Sequence, residues 1–162
     1  MEELQQFFEQ NSAAAKKYKH ATGLLGLAVR WKKPEMVDYL LTQKPARVIS
    51  AFEIALRNQN FPIAQQLIAY ETNINEYIGQ DEFLFKILRQ FYKNYAEEVN
   101  RSEYELLIEA TFQQGENPFI QEKFGRDALF CYRYFEDEKI KEEINTLVKN
   151  YCRKYGVAIP EK

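Results

Sequence analysis

The sequence predicts an all-α fold, on three observations. The stretch from Leu24 to Asn75 states one helix–break–helix pattern twice, and the step from Ala28 to its counterpart Ala55 is 27 residues. Elsewhere apolar residues recur at helical spacing, as in Leu84, Ile87, Leu88 and Phe91. The 6 Gly and 5 Pro leave little turn chemistry for hairpins, and few segments alternate with period two. At 162 residues the chain reads as one domain, 1–162.

Residues 1–20 read as one or two opening helices. Leu4, Phe7 and Phe8 share a face, and Ser12 is placed to cap a segment through Ala13, Ala14 and Ala15. That segment is expected to form an N-terminal helical cap, because the end repeat of a stack needs a polar outer face. The first repeat is Leu24 to Leu41 and the second Ala51 to Ile68. Ala28 matches Ala55, Arg30 matches Arg57, Val37 matches Ala64 and Leu40 matches Leu67. Pro34 and Pro62 mark the start of each second helix, where the missing N–H has no partner to lose. Pro45 stops the helix that ends near Gln43.

From Asp81, read as an N-cap, a strongly apolar helix follows with Leu84, Ile87, Leu88, Phe91 and Tyr95 as its stripe. Ser102 and Glu105 have the spacing of a capping box. They predict a helix over 103–114 with Leu106, Leu107 and Ala110 inward. Gly115 ends it, being free to adopt the left-handed conformation. Residues 81–114 thus form a third pair. Gly125-Arg126-Asp127 opens a fourth first-helix over 128–135, and 138–155 is the last helix, with Ile140, Ile144, Leu147, Val148 and Tyr151 on one face. Residues 159–162 read as a loose tail.

The two repeats resemble ankyrin repeats. Where that family carries Thr-Pro-Leu-His-x-Ala-Ala, this chain has Leu24-Leu25-Gly26-Leu27-Ala28-Val29 and Ala51-Phe52-Glu53-Ile54-Ala55-Leu56. The runs Tyr39-Leu40-Leu41 and Gln66-Leu67-Ile68 stand for its second helix, and Glu71 to Asn75 for its turn. The Thr-Pro pair and the histidine are missing, and the step is shorter than the usual ~33 residues. The resemblance implies stacked helix pairs of the ankyrin-like α-solenoid kind and a protein–protein interaction module. Such arrays occur in cellular adaptors and in effectors that bacteria deliver into host cells.

Several function classes lack their residues. No run approaches ~18 apolar residues, so no membrane span is expected. The start Met1-Glu2-Glu3-Leu4 lacks the layout of a signal peptide, and two cysteines make no disulfide framework. A cytoplasmic setting is expected, of the source cell or of a host. His20 is the sole histidine and reads as a solvated or helix-end residue. Glu97-Glu98, Glu136-Asp137-Glu138 and Glu142-Glu143 read as solvated faces, because helix neighbours do not face each other. Cys131 reads as a small core residue, and the isolated glycines form no phosphate loop. No enzyme, cofactor or metal site is expected.

Charge is uneven. Residues 1–48 hold 8 basic and 5 acidic side chains, and residues 49–162 hold 14 and 19. The basic run Lys16, Lys17, Lys19, Arg30, Lys32, Lys33, Lys44 and Arg47 reads as a solvated face, or as a surface for an acidic protein, anionic lipid or nucleic acid. No nucleic-acid motif accompanies it, and nucleic acid is not an expected partner. Trp31 either faces a partner or packs against the N-terminal segment. The family's register places Arg30, Trp31 and Lys33 at one helix end and Arg57, Asn58 and Asn60 at the matching end. Those six are the expected partner-binding residues of a monomeric module. The alternative is an assembly subunit that self-associates through an aromatic C-terminal face of Tyr132, Tyr134, Phe135, Tyr151 and Tyr155.

Overall fold

The computed structural model describes residues 22–45, 47–77, 82–95, 100–121 and 126–160. The N-terminal cap with Ser12, Lys16, Lys17, Lys19 and His20 lies outside them, as do Asp81, Glu97, Glu98 and Gly125. Among the described residues all regular structure is helical, so the chain is all-α. The α-helices are α1 (Thr22–Arg30), α2 (Pro34–Thr42), α3 (Ile49–Arg57), α4 (Phe61–Tyr70), α5 (Phe83–Asn94), α6 (Arg101–Gln113) and α7 (Glu138–Tyr155). Two 3-10 segments, Ile74–Glu76 and Ala128–Tyr134, join them. The chain divides into two compact units, Met1–Ile63 and Ala64–Lys162.

In the first unit α1 packs against α3 and against α2. Leu25, Ala28, Val29, Val37, Phe52, Ala55 and Leu56 are buried there. Ala28 and Ala55, the two matched small residues, are both fully buried. Gly26 shows why a residue unfavourable in helices sits inside α1. A Cβ there would stand 2.9 Å from Ile54 Cδ1 of α3, below ordinary contact.

The repeat of the sequence reappears as a repeat of backbone geometry. After α1, the N–H groups of Lys32 and Lys33 donate to Val29 O and Ala28 O, each at 3.0 Å. After α3, those of Gln59 and Asn60 donate to Leu56 O at 3.0 Å and Ala55 O at 2.9 Å. This is the Schellman closure, which satisfies carbonyls that a helix end leaves open. It requires a left-handed residue, and Lys32 (φ 53°) and Gln59 (φ 51°) take that role without being glycine. The left-handed conformation costs a non-glycine residue roughly 1–2 kcal/mol. Glycine recovers that and loses part of it to the greater freedom of its unfolded chain. Gln59→Gly is therefore expected to stabilise the protein by about 0.5–1 kcal/mol, read as a higher denaturation midpoint. A lower midpoint would mean that the Gln59 side chain makes a contact worth more than the strain.

In the second unit α5 packs against α6, α7 and the 3-10 segment Ala128–Tyr134, and α6 packs against α7. Phe83, Leu84, Ile87, Leu88 and Phe91 of α5 are buried with Tyr104, Leu107, Ile108 and Phe112 of α6. Ile144, Val148 and Cys152 are the buried stripe of α7, while Ile140, Leu147 and Tyr151 are half-buried. Asp137 caps α7, its Oδ1 accepting from Lys139 N at 2.9 Å and Ile140 N at 3.1 Å.

Residues 128–134 form a 3-10 segment and not a fourth α-helix. The capping box at Ser102 does not form. The helix starts two residues earlier, at Arg101, and Glu105 takes the Arg101 guanidinium at 2.9 Å instead of reaching back to the backbone. Leu106, expected inward, is 49% exposed, so the buried face of α6 is Tyr104, Leu107, Ile108, Thr111 and Phe112.

Candidate protein-binding surface

All six expected partner-binding residues fall in the first compact unit, at the C-terminal ends of α1 and α3 and in the turns that follow. Arg30, Trp31, Lys33, Arg57 and Asn58 are exposed, and Asn60 is half-buried. Asn60 has a structural duty as well, because its N–H closes the end of α3. The two turns present their side chains from the same backbone geometry at equivalent helix ends.

Trp31 is 60% exposed, an unusual state for the chain's single tryptophan. Leu27, one helical turn before it, is 39% exposed. Leu27 was not among the expected residues. Its place in the apolar run Leu24-Leu25-Gly26-Leu27 reads as core, and only the direction in which α1 packs shows otherwise. Together the two give a small apolar patch on the outer side of α1.

Cations surround the patch. Arg30, Lys32 and Lys33 are exposed and have no ion-pair partner among the described residues. In the second unit, by contrast, Arg101 pairs with Glu105, Lys141 with Glu138 and Lys154 with Glu109. The C-terminal end of a helix carries partial negative charge, which makes these cations locally favourable on α1. That accounts for their position but leaves their charge open to a partner. Arg57 is different, since Glu53 one turn earlier holds its guanidinium.

The aromatic residues of the C-terminal region do not form one exposed face. Phe135 is buried and stacks on Tyr92 with ring centres 4.1 Å apart. Tyr151 and Tyr155 stack on Phe112 at 5.7 and 6.1 Å. The Tyr132 hydroxyl is buried without a hydrogen-bond partner, and burial pushes its pKa upward. Tyr134 alone of the five is exposed, with Arg89 over its ring at 5.6 Å.

Cys131 and Cys152 are buried free thiols whose pKa values burial raises, which keeps them protonated and unreactive. No group of three or more His, Cys, Asp or Glu is placed to hold a metal ion among the described residues. A shallow groove of about 420 Å³ lies between Arg101 and the outer face of α7, lined by Lys139, Glu142, Glu143 and Asn150. Two of its charged groups are tied through Tyr95, which donates to Glu143 and accepts from Arg101 at 3.0 Å. Burial and the Glu143 hydrogen bond raise the Tyr95 pKa. The arrangement is a tie between α5, α6 and α7 and contains no nucleophile set against a base. No helix among the described residues is long and apolar enough to cross a membrane.

Compared with known proteins, the chain matches no family model, no curated protein and no solved structure.

Proposed function

We propose that this chain is a protein-binding module with ankyrin-like stacked helix pairs, acting as a monomeric adaptor in a cytoplasm. It works by recognition and not by catalysis. One observation carries this reading: Trp31 and Leu27 stand exposed among Arg30, Lys32 and Lys33, cations that no carboxylate of the described chain neutralises. Arg57, Asn58 and Asn60 extend the surface from the matching turn. Tryptophan and arginine are the residues over-represented where truncation costs most binding energy. The free cations favour a partner with an acidic rim, and they would speed encounter more than they hold the complex. The rigid helix ends lower the ordering cost of binding. The aromatic alternative loses support, because four of its five residues are already packed within the second unit.

The single tryptophan is its own probe. In the free protein Trp31 is expected to emit as a water-exposed indole and to be quenched readily by acrylamide. Titration with an acidic protein partner is expected to shift that emission to the blue, and added salt is expected to weaken the shift. A partner that binds with no change in Trp31 emission would place the binding surface elsewhere.

A further inference from the structure

The turn after α6 holds an ionisable side chain that the binding surface does not use. Glu116 is 1% exposed. It follows the left-handed Gly115, and its N–H closes the end of α6 on Thr111 O at 3.0 Å. Its side chain turns to the start of α5, where Oε1 accepts the Leu84 N–H at 3.0 Å. That N–H is one of the first-turn donors a helix cannot satisfy itself, and Glu82 at the N-cap offers no side-chain cap. Glu116 therefore caps α5 from a distant part of the chain. On its other side Asn75 grips the same turn, Nδ2 donating to Gly115 O and Oδ1 accepting Asn117 N–H, both at 2.8 Å. One turn thus joins the end of α6, the start of α5 and the 3-10 segment Ile74–Glu76.

The second carboxyl oxygen, Oε2, is buried with no hydrogen-bond partner. An ionised carboxylate there would hold charge away from water with an acceptor unmet, whereas the neutral acid holds no charge. The Thr111 hydroxyl lies beside the carboxyl but donates its proton to Ile108 O at 2.9 Å. The charged groups on the surrounding elements give no compensation. Glu82 is itself buried at the start of α5, Lys86 is half-buried one turn on, and Glu76 is exposed in the 3-10 segment. Glu109 on α6 is held by Lys154 and Tyr155. Burial pushes the Glu116 pKa up to about 7, with the Leu84 N–H and the Thr111 hydroxyl pulling the other way.

We propose that Glu116 is a pH-sensitive latch: protonated, it closes the turn after α6 onto α5, and ionised, it releases that closure. The inference stands independently of the binding surface. Its sign follows from linkage. The folded value lies above the ordinary 4.5, so the stability Glu116 confers is full below 4.5 and is lost as pH rises to about 7.

The test is urea denaturation of the full chain from pH 4.5 to 8, beside Glu116→Gln. Relative to the variant, the wild-type folding constant is expected to fall about tenfold per pH unit, roughly 300-fold across the window, and then level. Parallel profiles for the two proteins would overturn the latch. Should Glu116→Gln not fold, the wild type still decides it by NMR. The Glu116 carboxyl carbon is expected to titrate near 7, and a midpoint near 4.5 overturns the proposal. The Leu84 amide, corrected for intrinsic exchange, is expected to lose protection above that midpoint. Unchanged protection would show that ionisation leaves the closure intact.

Discussion

Phe91→Ala is expected to lower the stability of the second compact unit by about 3–5 kcal/mol, the range for truncating a buried phenylalanine. Phe91 is 2% exposed, stacks on Tyr104 with centres 5.3 Å apart and touches Tyr95 at 5.4 Å. The cavity has little means to collapse. Tyr104 is fully buried, and its hydroxyl accepts from Asn94 Nδ2 at 2.7 Å, which pins the ring to α5. Asn94 is fixed in turn by donating to Gln90 O at 3.1 Å. Domains have only about 5–15 kcal/mol in total, so the loss takes a large share. Urea denaturation followed by far-UV circular dichroism measures it. An unchanged midpoint would mean that α5 and α6 do not share this core.

Trp31→Ala is expected to do the opposite: leave stability within about 0.5 kcal/mol, as for other surface changes, and weaken partner binding by ~2 kcal/mol, roughly 30-fold. The expectation rests on exposure. A side chain that is 60% exposed has little folding energy to lose and much area to bury against a partner. Arg57→Ala is expected to have a smaller effect. Its guanidinium must first leave Glu53, although an exposed pair at this spacing holds it by only about 0.3–0.5 kcal/mol.

Much of the architecture was legible because it rests on spacing. The matched alanines, the prolines at the second helices and the apolar stripe of α5 each follow from helical period or from one missing N–H. What failed depended on packing. The run over 128–134 is apolar at almost every position, and its buried pair Ala128 and Cys131 lies three apart. That spacing fits a 3-10 turn as well as an α-helix. Ser102 and Glu105 have the letters of a capping box, but Arg101 competes for the same carboxylate and wins. The closures at Lys32 and Gln59 left no signal, since neither is the glycine that marks such a turn at Gly115. Glu116 reads as part of a polar turn and is buried because Asn75 and Leu84 draw the turn inward.

The candidate surface was legible in part for the same reason. Residue type and repeat register nominated Arg30, Trp31, Lys33, Arg57, Asn58 and Asn60 as candidates, but exposure is a property of packing. A tryptophan after an apolar helix fits a core as well as a surface. Leu27 was hidden by its apolar neighbours. Glu53 was not recognisable as the partner that quiets Arg57.

On the proposed reading, the ends of α1 and α3 bind a protein through Trp31. Affinity capture from lysate, with wild type, Trp31→Ala and Arg57→Ala at equal folded concentration, tests it most directly. Proteins enriched by the wild type are to be identified and quantified for each variant. An acidic protein is expected to be retained by the wild type, weakened by Arg57→Ala and largely lost with Trp31→Ala, while both variants keep the wild-type melting temperature. Equal retention by Trp31→Ala, or a Trp31→Ala protein that unfolds while its affinity stays intact, would contradict it.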